Sequence, residues 1–194
     1  MKKPAVFLDR DGTMTAELGY LTDLESIVYY PRVERAIRLL NHLDFLVVVA
    51  TNQSAIARGM VSEAAVRMIH DTISNHFGLC AARIDAFYFC PHHPEATQAL
   101  YRAQCDCRKP APGLLLQAAR DLGIDLERSY MVGDQTSDLQ AGAKAGCTAV
   151  LVLTGKGGET LVEMDARLRA TVHVAPDLLA ASRWIALRAW RSRV

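Results

Sequence analysis

Short apolar runs, each broken off by a polar cluster, recur along the chain and alternate with stretches whose apolar residues fall three or four apart. Val6-Phe7-Leu8 ends in Asp9-Arg10-Asp11-Gly12-Thr13, and Phe45 to Ala50 ends in Thr51-Asn52-Gln53-Ser54. Ile84 to Phe89, Ser129 to Val132, Thr148 to Leu153 and Thr171 to Val174 follow, the second of these running into Gly133-Asp134. Runs of this length without polar alternation predict strands covered on both faces. Between them, Pro31 opens a helix with Val33, Ile37 and Leu40 on one stripe and Ala36, Leu39 and Leu43 beside it. Ser62 caps a second, carrying Val66, Ile69, Ile73 and Phe77 and stopped by Gly78. Pro112 opens a third through Leu115, Leu116, Ala119 and Leu122 to Gly123, a small-residue helix spans Thr136 to Ala145, and Pro176 starts a terminal one. Strands alternating with helices predict an α/β fold, a doubly wound and mostly parallel sheet. Met14 to Tyr30 has no clear period and reads as a loop or small flap over the end of the sheet. Without repeats or a linker, residues 1–194 form one domain.

Composition narrows the partners. Of 194 residues, 51% are hydrophobic and 22% charged, with a net charge of +1, which excludes a disordered chain and a general nucleic-acid surface. No apolar run approaches a membrane span, and Met1-Lys2-Lys3-Pro4 leads straight into a strand, so a cytoplasmic protein, expected to be monomeric, follows. The tail from Arg183-Trp184 to Arg193 is basic, and its two tryptophans are expected to dock as part of an amphipathic helix rather than to bind nucleic acid. Cys80 and Cys147 read as packed apolar residues, and His42, His70, His76 and His173 as surface or packed histidines.

Chemistry enters through the order of the polar clusters: Asp9/Asp11, Thr51-Asn52, Arg108-Lys109, then Gly133-Asp134 with Asp138. In a doubly wound sheet these strand ends converge on one crevice. Each alone could be an ordinary turn or cap; together they assemble acids, a hydroxyl and a cation. A carboxylate approaching a phosphate dianion meets about 4 kcal/mol of repulsion per unit charge pair at 4 Å and an effective dielectric near 20. Mg²⁺ held by Asp9 and Asp134, with the ammonium of Lys109, would offset it. A second cluster, Cys90-Pro91-His92-His93-Pro94 and Cys105-Asp106-Cys107, lies in a polar loop of about residues 90–107. Three thiolates and one imidazole suit a closed tetrahedral zinc site, and spacing alone does not choose between His92 and His93.

Asp9-Arg10-Asp11-Gly12-Thr13, Thr51-Asn52, Lys109 and Gly133-Asp134 with Asp138 resemble the four motifs of the haloacid dehalogenase (HAD) superfamily of phosphatases. The resemblance implies a Rossmann-like HAD fold without a large cap domain, catalytic roles for Asp9, Asp11, Thr51 and Lys109, and an aspartyl-phosphate on Asp9. It also implies Asp11 as acid and base, Mg²⁺ on Asp9, the Asp11 carbonyl and Asp134, and Asp138 in support. With Ile56-Ala57-Arg58-Gly59 and the Cys/His loop, the chain resembles more narrowly the heptose bisphosphate phosphatases, whose zinc loop and motifs the histidinol-phosphatase domains share. This implies structural zinc on Cys90, His92, Cys105 and Cys107, and a phosphorylated-sugar substrate losing its 7-phosphate on the way to ADP-heptose for the lipopolysaccharide core. It implies a substrate site lined by Glu17, Gly19, Tyr20, Thr51, Asn52, Gln53, Ser54, Arg108 and Lys109. Two positions depart from the pattern: Ala55 replaces a glycine, and Gln135 a lysine that would meet a second phosphate. The alternatives are a histidinol-phosphate phosphatase and a non-catalytic, zinc-stabilised binding module.

Overall fold

The computed structural model describes residues 2–17, 19 and 26–191. Its sheet has six parallel strands: β1 (Ala5–Leu8), β2 (Leu46–Asn52), β3 (Ala86–Cys90), β4 (Tyr130–Gly133), β5 (Thr148–Val152) and β6 (His173–Ala175). Their order is β3-β2-β1-β4-β5-β6. The helices are α1 (Val33–His42), α2 (Ser54–Ala57), α3 (Glu63–Leu79), α4 (Gly113–Leu122), α5 (Thr136–Ala145), α6 (Gly157–Glu163), α7 (Ala166–Thr171) and α8 (Leu178–Arg191).

The unbroken apolar runs follow from two dry faces. Val6 and Leu8 of β1 pack into one core with Ile37 and Leu40 of α1, Ile69 and Ile73 of α3, and Ile185 of α8. Ala5 and Phe7 point the other way, onto Leu114, Leu115 and Ala118 of α4. Each buried side chain of this size contributes about 1.5–3 kcal/mol. The chain winds outward from β1 in both directions, which puts a topological switch point between β1 and β4, where open sheets bind ligands. Leu8 is in register with both Val49 and Val132, and the Asp9 amide donates to the Val132 carbonyl at 3.0 Å. The polar ends of β1, β2 and β4 therefore meet.

Several boundaries differ from the sequence expectation, each for a local reason. Thr51 and Asn52 are not a turn; they are the last residues of β2, paired with Phe89 and Cys90. Helix α3 runs through Gly78, which sits on the exposed side, and ends at Leu79; Ala81, at φ 53°, turns the chain back. Helix α1 begins at Val33, after Arg32 at φ 69°, rather than at Pro31. The buried face of α4 is Leu114, Leu115 and Ala118, with Leu116 and Ala119 half-buried. Helices α2, α6 and α7, of four, seven and six residues, are too short to show a period. Of the tail, Ser192 and Arg193 lie outside the described residues.

The tryptophan expectation is half corrected. Trp184 packs on the core, stacked on His173 at 4.0 Å and edge-on to Tyr130 at 6.1 Å, whereas Trp190 is 67% exposed. Six positions apart on a helix of 3.6 residues per turn, the two rings fall on different faces. Urea unfolding should separate them: Trp184→Ala lowers stability by about 2–3 kcal/mol, and Trp190→Ala by less than about 0.5 kcal/mol.

Candidate active site and metal-binding clusters

A cleft of about 550 Å³ opens at the switch point, lined by Asp9, Asp11, Thr51, Arg108 and Lys109 among others. At its floor, buried Lys109 donates from Nζ to Asp9 Oδ1 at 2.6 Å and to the Ala50 carbonyl at 2.8 Å, and lies 2.6 Å from Asp138 Oδ1. Asn52 fixes the lysine backbone from both sides: its Nδ2 donates to the Lys109 carbonyl at 3.0 Å, and its Oδ1 accepts from the Lys109 amide at 3.1 Å. Burial works against the charge of Lys109, but Asp138 and Asp9 outweigh it and hold its pKa well above the usual lysine range.

The acids are short of positive charge. Burial pushes Asp9 up to about 8 against the pull of Lys109, and Asp138 and Asp134 push it the same way as burial. Burial pushes Asp134 up to about 7, although its Oδ2 accepts from the Lys156 amide at 2.8 Å. Asp134 Oδ1 is buried with no hydrogen-bond partner. Oxygens of Asp9, Asp134 and Asp138 come within 4.8 Å of one another. An orphaned carboxylate oxygen among three acids and one lysine fits a hard divalent cation such as Mg²⁺. Gly12, at φ +87°, and Gly155 pack against Asp134, where a side chain at either would collide with its Oδ2.

Asp11 lies outside that acid cluster and has an opposite environment. Arg10, fully buried, donates from Nε to its Oδ1 at 2.9 Å and from Nη2 to its Oδ2 at 2.7 Å. Gln53 Nε2 donates to Asp11 Oδ2 at 3.1 Å and to Thr51 Oγ1 at 2.9 Å, while its Oε1 accepts from Arg10 Nη2 at 2.9 Å. Burial alone would raise the Asp11 pKa; the Arg10 charge and these hydrogen bonds outweigh it and hold it below the usual carboxylate range.

The cysteine-histidine loop closes on itself beside the cleft. The Sγ atoms of Cys90, Cys105 and Cys107 are 3.1–3.5 Å apart, and His92 Nδ1 lies 3.8 Å from Cys90 Sγ and 3.5 Å from Cys107 Sγ. Four soft donors at these separations surround a point suited to tetrahedral zinc, whose bonds to sulfur are about 2.3 Å. His93 is spoken for elsewhere, since its Nδ1 accepts from the Glu95 amide at 3.1 Å. Arg108 Nη1 joins the loop to the cleft, donating to the His92 carbonyl and to Ser54 Oγ, both at 3.0 Å.

The remaining expected residues divide. Glu17 and Gly19 line the cleft, and Glu17 Oε1 pairs with Lys156 Nζ at 3.0 Å; Tyr20 lies outside the described residues. Tyr30 Oη accepts from the Gly155 amide at 3.0 Å, which ties the chain just before α1 to the loop after β5. Sequence reasoning missed Arg10, Lys156 and His70. Two flanking acids mark Arg10 as a charge partner, but nothing in the pattern of α3 distinguishes His70. Buried His70, 3.2 Å from Arg10 Nη1, is pushed down to about 3 by burial first and by the Arg10 charge second.

A parallel sheet with acids and a lysine gathered at its switch point defines a HAD-like hydrolase, and the HAD-hydrolase-like family model matches residues 106–181. The D-glycero-beta-D-manno-heptose-1,7-bisphosphate 7-phosphatase of Photorhabdus laumondii is 42% identical over 167 residues, 85% of this chain and 88% of its own. The enzyme of the same name from Escherichia coli K12 is 44% identical over 154 residues, 79% and 81% of the two chains. The crystal structure of D,D-heptose 1,7-bisphosphate phosphatase from B. bronchiseptica, complexed with magnesium and phosphate, superposes with a TM-score of 0.84 at 34% identity, covering 95% of this chain and 99% of that one. The chain belongs to this family of heptose bisphosphate phosphatases.

Two outcomes follow from the geometry. The purified protein should carry one zinc per chain, and stripping it with a chelator should lower the thermal midpoint by roughly 5–10 °C, checked by metal analysis and calorimetry. His70, neutral when folded, contributes stability that is fully present above its unfolded pKa near 6.5 and lost as pH falls toward 3. Between pH 7 and pH 5 the wild type should therefore lose about 2 kcal/mol more than His70→Gln in parallel denaturant titrations.

Proposed function

We propose that the chain removes the phosphate at carbon 7 of a D-glycero-D-manno-heptose 1,7-bisphosphate, through an aspartyl-phosphate on Asp9. The family names support the substrate, and the β-anomer in those names is the one expected here. The observation that carries the mechanism is Asp9, held by Lys109 beside the unpartnered Asp134 oxygen at the end of β1.

Thr51 and Lys109 hold the phosphoryl oxygens while an Asp9 oxygen attacks phosphorus. The bond from phosphorus to the sugar oxygen breaks, and Asp11 gives its proton to the departing alkoxide. A phosphate dianion entering beside Asp11 works against Arg10 and favours uptake of that proton. Asp11, now ionised, takes a proton from a water that attacks phosphorus, which releases inorganic phosphate and regenerates the Asp9 carboxylate. Asp9, the Asp11 carbonyl and Asp134 would hold Mg²⁺, which when bound would supply positive charge to offset repulsion between Asp9 and the phosphate.

Arg108, anchored to Ser54 and His92, meets the substrate at the cleft wall with Glu17 and Gly19, and Asp138 acts through Lys109; a part for Tyr20 rests on the resemblance alone. Asn52 and Gln53 serve the substrate indirectly, since their amides are spent on Lys109, Arg10, Asp11 and Thr51. Among the described residues no helix is long and apolar enough to cross a membrane. We read residues 1–194 as one domain, acting as a monomer in the cytoplasm where a lipopolysaccharide precursor is made.

Phosphate release tests both parts. Asp9→Asn should reduce kcat on the heptose bisphosphate by at least about a thousandfold, and undiminished turnover would remove Asp9 from the role of nucleophile. Higher kcat/KM for histidinol phosphate than for the bisphosphate would overturn the substrate while leaving the chemistry intact.

A further inference from the structure

His70 makes a buried contact with Arg10, and the mechanism above gives His70 no part. Arg10 is 0% exposed and His70 4% exposed, and both sit behind the cleft rather than in it. The guanidinium has only donors, so at 3.2 Å from Arg10 Nη1 the His70 Nε2 must be the acceptor. The imidazole is neutral with its proton on Nδ1, in keeping with its lowered pKa. It cannot rotate away: it stacks on Phe87 of β3 at 4.7 Å and meets Phe89 edge-on at 5.7 Å. The other side of the same guanidinium forks onto both oxygens of Asp11, and its Nη2 also holds Gln53, which in turn holds Asp11 and Thr51.

We propose that His70 is a positioning residue for the proton-transfer carboxylate, fixing the guanidinium that places Asp11. This rests on the role given to Asp11 above. Arg10 is planar and stiff at its head, so two anchor points define the plane in which the Asp11 carboxylate lies. Gln53 supplies one and His70 the other. Without the His70 acceptor, a buried N–H of Arg10 loses its partner, the head turns to find another, and Asp11 turns with it. A displacement of about 1 Å in a reacting group can cost about a hundredfold in rate.

The leaving group gives a readout that a merely structural role would not move. A sugar alkoxide needs a proton to depart, whereas p-nitrophenolate leaves without one. kcat/KM reports the step in which that group departs. The variants are His70→Gln, whose amide oxygen can reach the position of Nε2, and His70→Asn and His70→Leu, which cannot place an acceptor there. In Asn and Leu, kcat/KM on the heptose bisphosphate should fall about 10- to 100-fold, against less than about threefold on p-nitrophenyl phosphate. Gln should restore the bisphosphate value to within about threefold of wild type, and the rise in melting temperature on adding Mg²⁺ should be the same in all folded variants. Asn and Leu differ in polarity, so one remains informative if the other fails to fold. Should neither fold, a Gln variant unable to restore the bisphosphate value overturns the proposal. Equal losses on both substrates, or no loss on the bisphosphate, would also overturn it. Wild-type protein that hydrolyses p-nitrophenyl phosphate but not the bisphosphate would instead overturn the substrate reading. The His70 comparison would then be made on whichever alkyl phosphate the wild type does hydrolyse.

Discussion

One buried ammonium organises the cleft. Lys109 Nζ lies 2.6 Å from an oxygen of Asp9 and 2.6 Å from one of Asp138, with Asp134 close by. Charges this far from water are tolerated only when paired, and one lysine cannot balance three acids. The deficit appears as raised pKa values at Asp9 and Asp134 and as an oxygen of Asp134 with no partner. That deficit is what suits the floor to a divalent cation and a reacting phosphate. The same lysine backbone is clasped by Asn52, so β2 and the loop before α4 are locked together at the point where the charge is needed.

The two acids of the opening motif are one residue apart yet electrostatically opposite. Asp9 is pushed up by burial and its acidic neighbours, and Asp11 is held down by a bidentate arginine. Groups whose environments drive their pKa values apart are suited to different tasks. Here the division comes from Arg10, which stands between them in the chain but turns back into the core behind Asp11.

The cysteine-histidine loop reaches the same cleft by a different route. Cys107 is followed directly by Arg108 and Lys109, and Arg108 hydrogen-bonds back to the His92 carbonyl. A loop with few apolar residues has little hydrophobic burial to hold its shape. Four ligands converging on one metal would do so, and would fix the approach of both cations to the cleft.

Much of this was legible in the sequence because it depends on order and spacing. Unbroken apolar runs marked the central strands β1, β2, β4 and β5, since a strand covered on both faces has no reason to alternate, and the polar clusters at their ends pointed to Asp9, Thr51 and Asp134. Lys109 lies instead in the loop before α4, and Thr171, expected to open the last strand, ends α7. The zinc ligands were readable as a group because soft donors cluster locally in the chain. Spacing alone left His92 and His93 open and the resemblance pointed to His92; the tertiary structure sets His92 Nδ1 beside the thiols and ties His93 to the Glu95 amide. The tertiary structure alone separated Trp184 from Trp190 and showed Asn52 and Gln53 spending their amides inside the protein. It alone brought His70, sixty residues away in sequence, against Arg10. The physical reason is the range of each signal. Periodicity and metal-ligand spacing are properties of adjacent residues, whereas the partner of a buried polar group is decided by which helix packs over it.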